Sequence, residues 1–302
     1  MARKLYCQYC RTYTPCFKCE LQGIASATNK KLQKYSLTRF LESGELADVE
    51  IVVESDHFPD RSLSIKVHRM ILALHNEVFR AMFYGDFAKE ERVLIIDLHP
   101  EGVLGLIRYF YSGQLQVEST LQAVYTRTAA IKYLEPKLAE ECLDYAIDNM
   151  SEADVCATID YLHIMGEEDN DILAQAIDLL DEECIEVLTS DSLKSCLEET
   201  VHLIIDKATN VPEVSILEAV FSWAQEQCLR RAEDGEDTNL RKIMEPFFPK
   251  LRFLAITPKE FASVPNKWGI LKDDEALALL CNIANKGSMP LPDGFCSIDA
   301  PR

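Results

Sequence analysis

Alternating apolar and polar residues in the first third of the chain predict a small β-sheet. Every second residue is apolar over residues 48–53, and the same period returns over residues 63–67 after a polar turn. Because the side chains of a strand point alternately to its two faces, the two runs predict a β-hairpin with one buried face. A further apolar run over residues 93–98 predicts a third strand.

Apolar residues at helical spacing surround these strands. Residues 36–41 have apolar positions at i, i+3 and i+4, and Gly44 ends the predicted helix. The same spacing recurs over residues 78–83, 103–110, 121–134 and 138–145. From Ser151 onward the strand signal disappears and helical periods follow. The pattern predicts an α+β domain over residues 36–148, with a short β-sheet capped by helices, and an all-α domain over residues 149–286.

The two ends of the chain lack such a period. Residues 287–302 contain three prolines and no regular apolar spacing, so they are predicted to be a disordered tail. Residues 1–35 are predicted to form a basic, Cys-rich N-terminal arm that precedes the first domain.

Charge is divided unevenly along the chain. The 302 residues carry a formal net charge of −19, yet residues 1–39 contain eight Lys or Arg and one acidic residue. These 39 residues therefore have a net charge of +7, and the remainder of the chain has −26. An acidic body argues against a nucleic-acid binder that follows phosphates over a large surface. Nucleic acid is therefore not an expected partner. A membrane is not expected either, because no apolar run reaches the length of a bilayer span.

The sequence contains none of the local patterns that carry common enzymatic chemistry. A Walker loop, a dinucleotide-binding glycine triplet, a nucleophile elbow and a His-Glu-x-x-His motif are absent, and the six histidines are dispersed. We expect no catalytic residues, no enzymatic activity and no required cofactor. The 11 cysteines, an odd number, and an N-terminus without an apolar signal sequence predict the reducing cytoplasm, with the nucleus as a further location.

The N-terminal arm carries the one candidate metal site of the sequence. Cys7 and Cys10 form one Cys-x-x-Cys pair, and Cys16 and Cys19 form a second, five residues later. Two such pairs can place four thiolates around Zn²⁺, and the basic residues beside them offset the negative charge. The spacing between the pairs is short, so a Cys-rich tail without metal stays open as the alternative.

Four ordered motifs in the first domain resemble a BTB (POZ) domain. They are Ala47-Asp48-Val49, KVHRMILA at residues 66–73, FRAMFYG at residues 79–85 and LIRYFYSG at residues 106–113. The next region, with LEAVFSWA at residues 217–224, resembles the BACK domain that follows BTB in many proteins. Within this family, the chain most resembles the group with a β-sandwich PHR domain after BACK. No β-rich pattern follows the helical region, so we expect no PHR domain in this chain.

This resemblance implies a protein-interaction adaptor. BTB–BACK proteins form homodimers and often recruit substrates to cullin-3 RING ubiquitin ligases, within the ubiquitin-conjugation pathway. The expected partners are therefore a second copy of the chain, cullin-3 and a protein substrate that the sequence does not name. The implied dimer-interface residues are Leu37, Phe40 and Leu41. The alternative is a nuclear or transcriptional scaffold in which BTB dimerises and the zinc-bearing basic arm contacts nucleic acid or a nuclear partner.

The helix over residues 78–83 and the loop after it correspond to the cullin contact of the family. The implied contact residues are Val78, Met82, Phe83, Phe87, Lys89 and Glu90. Helical spacing is equally compatible with a core position for Met82 and Phe83. Cullin-binding members carry a hydrophobic residue, any residue and then Glu in this loop, whereas here Lys89 follows Phe87-Ala88 and Glu90 comes one step later.

Three further residues, Asp48, His68 and Arg69, match charged residues that line a pocket of BTB domains. An acid and a base at the ends of adjacent elements usually pair. The sequence therefore favours a buried ion pair that closes the hairpin onto the following helix.

Overall fold

A computed structural model gives the fold of most of the chain. The described residues are 37–86, 91–167, 171–233, 235 and 238–302. None of the helices in these ranges is both long and apolar enough to span a membrane.

The chain divides into two compact units. The described part of the N-terminal unit consists of residues 37–118 and 125–142, and the helical unit consists of residues 119–124 and 143–302 with the gaps given above.

The sheet of the N-terminal unit has three strands among the described residues. Their order is β2-β1-β3, so β1 is central and β2 and β3 are edges. The strands are β1 (Val49–Glu54), β2 (Ser62–Val67) and β3 (Arg92–Ile95). The first two pair antiparallel with Ile51 opposite Ile65, and β3 runs parallel to β1 with Val93 beside Ile51. The predicted hairpin and third strand are confirmed, although the third strand ends before residue 98.

Helices occur where the apolar spacing predicted them. They are α1 (Leu37–Ser43), α2 (Arg69–His75), α3 (Glu77–Tyr84), α4 (Pro100–Ser112), α5 (Thr120–Lys132) and α6 (Pro136–Asn149). Among them, α4 packs on β1 and β2. Local signals set their ends: the Asn76 side chain accepts the backbone N–H of Phe79 at the start of α3, and Gly113 ends α4 in the left-handed conformation at φ 70°. Gly102 lets α4 approach α5 closely, because an added Cβ would lie 2.3 Å from the carbonyl oxygen of Tyr125.

His99 caps α4 and is held neutral by its surroundings. Its Nδ1 accepts the backbone N–H of Glu101, and its ring stacks on Tyr125 with centroids 3.8 Å apart and meets Phe58 edge-on at 4.7 Å. Burial, and secondly the positive charge of Arg61, lower the pKa of His99 to about 4.

This pKa predicts a loss of stability in acid. The unfolded histidine takes up a proton near pH 6.5, whereas the folded one resists protonation until about pH 4. The free energy of unfolding therefore falls as the pH drops through this window, by about 2 kcal/mol after allowance for solvent screening. Urea unfolding at pH 7 and pH 4.5 measures the loss. His99→Asn keeps a capping side chain but does not titrate, and an equally steep loss in this variant would contradict the assignment.

The second unit is helical in its described residues, which confirms the predicted change of fold class after the first domain. Its remaining elements are α7 (Glu152–Met165), α8 (Asp171–Glu182), α9 (Cys184–Thr189), α10 (Asp191–Ser195), α11 (Glu198–Lys207), α12 (Glu213–Glu233), α13 (Leu240–Met244), α14 (Pro258–Ser263) and α15 (Asp273–Ala284). Aromatic residues form the centre of its core, among them Trp223, Phe247, Phe248, Phe253 and Phe261. Trp223 also donates its indole N–H to the carbonyl oxygen of Cys196 at 2.9 Å.

The prediction of a disordered tail over residues 287–302 is wrong. Residues 287–302 have no regular secondary structure after the helical region, but Phe295 and Cys296 are buried. Arg302 forms a buried ion pair with Glu213, with 3.0 Å between its Nε and the carboxylate oxygen. The segment is ordered by separate side-chain contacts rather than by a periodic face, so a search for periodicity does not detect it.

Candidate partner-binding surface

An apolar groove lies between α3 and the edge strand β3. Its volume is about 230 Å³. Val78 and Met82 line one side from α3, and Leu94 and Ile96 line the other. Leu94 belongs to β3 and Ile96 follows it directly, and their side chains are 51% and 52% exposed. Together they form an exposed apolar pair beside the helix.

Tyr133 contributes to the groove from a distant part of the chain. Its ring stacks on buried Phe79 with centroids 4.7 Å apart. Burial, and secondly the carboxylate of Asp97, raise the pKa of Tyr133 well above its ordinary value, so the phenol keeps its proton. Beside it, Lys132 forms an ion pair with Asp97, and both residues also line the groove. An apolar groove with one polar end can bind an amphipathic peptide segment.

The sequence candidates on α3 divide between the groove and the core. Val78 and Met82 face the groove, as expected for contact residues. The assignment of Phe83 as a contact residue is wrong, because its side chain is buried and stacks on Phe79 with centroids 5.7 Å apart. Phe79 and Phe83 are four residues apart and therefore share the inner face of the helix, whereas Val78 and Met82 share the outer face. Phe87, Lys89 and Glu90 lie outside the described residues, so their roles stay predictions.

Sequence reasoning did not single out Leu94, Ile96 or Tyr133. A signal for the first two was present, since residues 93–96 are all apolar and a strand with one buried face would alternate. Nothing local marked Tyr133, which reaches the groove through tertiary packing.

Helix α1 presents apolar surface without burying a residue. Leu37 is 40% exposed, and Phe40 and Leu41 are only half-buried. Phe40 meets the ring of His68 edge-on, with centroids 6.1 Å apart. Beyond the helix, Leu46 is largely exposed. The three dimer candidates therefore remain available for contact in the N-terminal unit.

Asp48, His68 and Arg69 come together, but not as the predicted buried ion pair. Asp48 is exposed, and its carboxylate accepts the backbone N–H of Arg69 at 2.8 Å rather than a side-chain charge. His68 donates its backbone N–H to the hydroxyl oxygen of Tyr111 at 2.9 Å, and its Nδ1 lies 2.7 Å from the same oxygen. Its Nε2 lies 2.8 Å from the carbonyl oxygen of Glu45, which requires the ring proton on Nε2.

These contacts fasten the start of α2 to α4. Burial, with a smaller contribution from Asp48, raises the pKa of Tyr111 to about 12, so its hydroxyl remains protonated and can donate to Nδ1 of His68. The ion-pair interpretation fails because the Asp48 carboxylate accepts the backbone N–H of Arg69, whereas the Arg69 guanidinium lies over the Phe83 ring, 5.9 Å from its centroid.

Comparison with known proteins decides what this unit is. A family model described as BTB/POZ domain matches residues 37–150. Residues 37–150 are a BTB/POZ domain.

The relatives carry the same domain. The chain is 28% identical over 251 residues to BTB/POZ domain-containing protein 6 of Xenopus tropicalis, with 82% of this chain and 46% of the relative covered. The corresponding human protein is 27% identical over the same shares. Human BTB/POZ domain-containing protein 3 is 26% identical over 234 residues, covering 76% of this chain and 43% of the relative. The chain thus spans about half the length of these curated relatives.

The match concerns this domain and not the whole chain. BTB/POZ domains commonly dimerise and bind protein partners. The groove and the exposed face of α1 therefore belong to an interaction domain and are candidates for its contact surfaces.

The helical unit contains a second groove of about 310 Å³, lined by parts of α7, α8 and α11. Ile159, Leu162 and Leu203 are among its apolar lining residues, and Glu167 and Glu199 contribute carboxylates. The second groove therefore has both apolar and acidic lining residues.

The candidate zinc ligands Cys7, Cys10, Cys16 and Cys19 lie outside the described residues, so the zinc site stays a prediction. In the described part of the chain, no group of three or more His, Cys, Asp or Glu side chains is arranged to hold a metal ion.

Proposed function

We propose that this protein is a dimeric adaptor that recruits a protein substrate to a cullin-3 RING ubiquitin ligase. The observation that supports it best is the apolar groove between α3 and β3 in a BTB/POZ domain. Val78 and Met82 lie about one helical turn apart on α3, and Leu94 of β3 and Ile96 just after it line the groove with them. A partner helix with apolar residues at i, i+3 and i+4 fits this groove, because its apolar face can pack between the α3 side chains and those of Leu94 and Ile96.

The helical unit supplies the second part of the proposal. We assign it to the BACK domain, whose first two helices extend the cullin contact in related adaptors. The second groove has apolar walls from α7 and α8, which are the helices concerned. Its two carboxylates favour a partner segment that is apolar with a basic residue.

Titration calorimetry of the full chain with the cullin-3 N-terminal domain tests this function. We expect saturable binding with a dissociation constant in the micromolar range or below. Leu229→Asp is the matched control for substitutions in the groove. Leu229 is a largely exposed leucine of the helical unit, far in sequence from the residues of both grooves. Absence of heat up to about a hundred micromolar, with the fold intact by circular dichroism, would exclude cullin-3 as the partner.

The dimer should depend on α1. A seven-residue helix that buries none of its residues is too short to be stable on its own, so we expect a second copy to cover its apolar side chains. Leu37→Asp combined with Phe40→Asp should shift the mass in sedimentation equilibrium from dimer to monomer. Glu42→Ala on the exposed side of the same helix is the control. A monomeric wild-type chain at micromolar concentration would show that α1 does not mediate dimerisation.

A further inference from the structure

Residues 288–302 lie on the helical unit like a bound peptide. The first of their two anchors is aromatic: Phe295 stacks on Phe248 with centroids 4.8 Å apart and meets Phe253 at 5.6 Å. Next to it, Cys296 donates its backbone N–H to the carbonyl oxygen of Phe248 at 3.1 Å. A side chain in an aromatic pocket and one main-chain hydrogen bond thus fix this end of the segment.

The second anchor is a pocket for one arginine. The Arg302 guanidinium donates to Glu213 at 3.0 Å, to the carbonyl oxygen of Ile205 at 2.6 Å and to that of Lys250 at 2.8 Å. Its side chain is 7% exposed and that of Glu213 is 1% exposed. A buried carboxylate with two carbonyl oxygens around it matches the planar fork of arginine and would not satisfy lysine in the same way.

Between the anchors the side chains of residues 297–301 are exposed, and Asp299 among them forms an ion pair with Lys286. Arg252 steadies them by donating to the carbonyl oxygens of Ala300 and Pro301 at 3.1 and 3.0 Å, which are main-chain contacts that do not depend on side-chain identity. Phe295 and Arg302 are thus the two buried side chains that anchor the end of the segment. Nearer its start, Leu291 packs against the core and Asn282 donates to the carbonyl oxygen of Met289.

The walls of the site are held by contacts of their own. Glu213 accepts the backbone N–H of Arg252 at 2.8 Å through its other oxygen, which positions the carboxylate without the segment. Phe248 and Phe253 meet edge-on at 5.8 Å, and Lys250 pairs with Asp206 at 2.6 Å. Each wall of the site therefore has at least one contact that does not involve residues 288–302.

We propose that this surface is a peptide-binding site of the helical unit, filled here by the chain's own residues 288–302. Its ligand in trans is a partner segment with an aromatic residue and, seven positions later, an arginine. The inference does not rest on cullin-3 binding. In the chain itself the tethered segment competes at an effective concentration in the millimolar range, so a partner must displace it.

The test uses the full chain with Phe295→Ala and Arg302→Ala, which vacates both anchors and leaves the walls unchanged. A fluorescent peptide of residues 288–302 should bind this variant saturably in an anisotropy titration. Binding to the wild-type chain should be at least tenfold weaker, because its own segment occupies the site. The same peptide with Arg302→Ala, or a protein that also carries Glu213→Gln, should lose at least tenfold in affinity. A folded variant that does not bind the peptide overturns the proposal.

Hydrogen exchange on the wild-type chain keeps the test independent of the variant's folding. The Cys296 amide should exchange at least a hundredfold faster than the core amides of α12, because a ligand leaves without global unfolding. Equal rates would show that the segment is part of the core and overturn the proposal, as would unfolding of the double variant. The heat of binding to the cullin-3 N-terminal domain should be unchanged in that variant, so failure of either proposal is recognised separately.

Discussion

Phe79→Ala should lower the free energy of unfolding of the BTB/POZ domain by about 3 to 5 kcal/mol. Phe79 is fully buried and lies at the centre of an aromatic cluster. Its ring stacks on Phe83 and Tyr133 and meets Phe110 edge-on, with centroids 6.0 Å apart in the last pair. Truncation removes the transfer energy of the ring and leaves a cavity that three rigid neighbours cannot close.

Denaturation with two readouts measures this effect. Both tryptophans of the chain, Trp223 and Trp268, belong to the helical unit, so their fluorescence should report the same midpoint as in the wild-type chain. The transition of the BTB/POZ domain, followed by hydrogen exchange at β1, should move to lower urea concentration. Arg108→Ala changes an exposed residue and should shift neither transition by more than about 0.5 kcal/mol. A loss below about 1 kcal/mol for Phe79→Ala would contradict the packing described.

Met82→Asp combined with Leu94→Asp should weaken binding of the cullin-3 N-terminal domain at least a hundredfold. The two side chains line opposite sides of the groove, and each apolar anchor of an interface contributes about 2 kcal/mol when it is truncated. Their replacement by carboxylates adds the cost of desolvating two charges against an apolar stripe. Leu94 is half exposed and Met82 is only half-buried, so the fold should tolerate both changes.

The comparison with two control proteins makes this result specific. Leu229→Asp should bind as the wild-type chain does, and Phe83→Leu should bind with nearly unchanged affinity because Phe83 faces the core. Undiminished binding by the groove variant would place the partner elsewhere on the protein. Loss of binding by Leu229→Asp would point to the helical unit instead.

Local sequence signals determined the elements and several of their ends. The alternating runs of the hairpin appear in register, and the helix predicted after the arm spans Leu37–Ser43 before Gly44 at φ 62°. At the start of α7, the Asp154 carboxylate accepts the backbone N–H and the hydroxyl of Ser151. At the start of α14, the Thr257 hydroxyl accepts the backbone N–H of Glu260. These features depend on residues within one or two turns of each other, so the sequence contains the whole of their physical cause.

Tertiary packing decided which apolar residues form the core and which form the surface. Met82 and Phe83 are adjacent in sequence, and helical spacing allowed either to face outward. The position of α3 against Phe110 and Tyr133 turned Phe83 inward and left Met82 in the groove. The same holds for Asp48, whose partner became a free backbone N–H at a helix start rather than the expected cation.

The C-terminal segment shows most clearly what the sequence alone does not determine. Its prolines and lack of period predicted disorder, and by itself a segment of this composition has no face to bury. Its order depends on Glu213, which lies 89 residues from Arg302 along the chain and meets it only after the helices between them have packed. The spacing of apolar residues indicates contacts between residues that are close in sequence. The ion pair between Arg302 and Glu213 forms only after folding has buried the Glu213 carboxylate, which then needs a positive charge beside it.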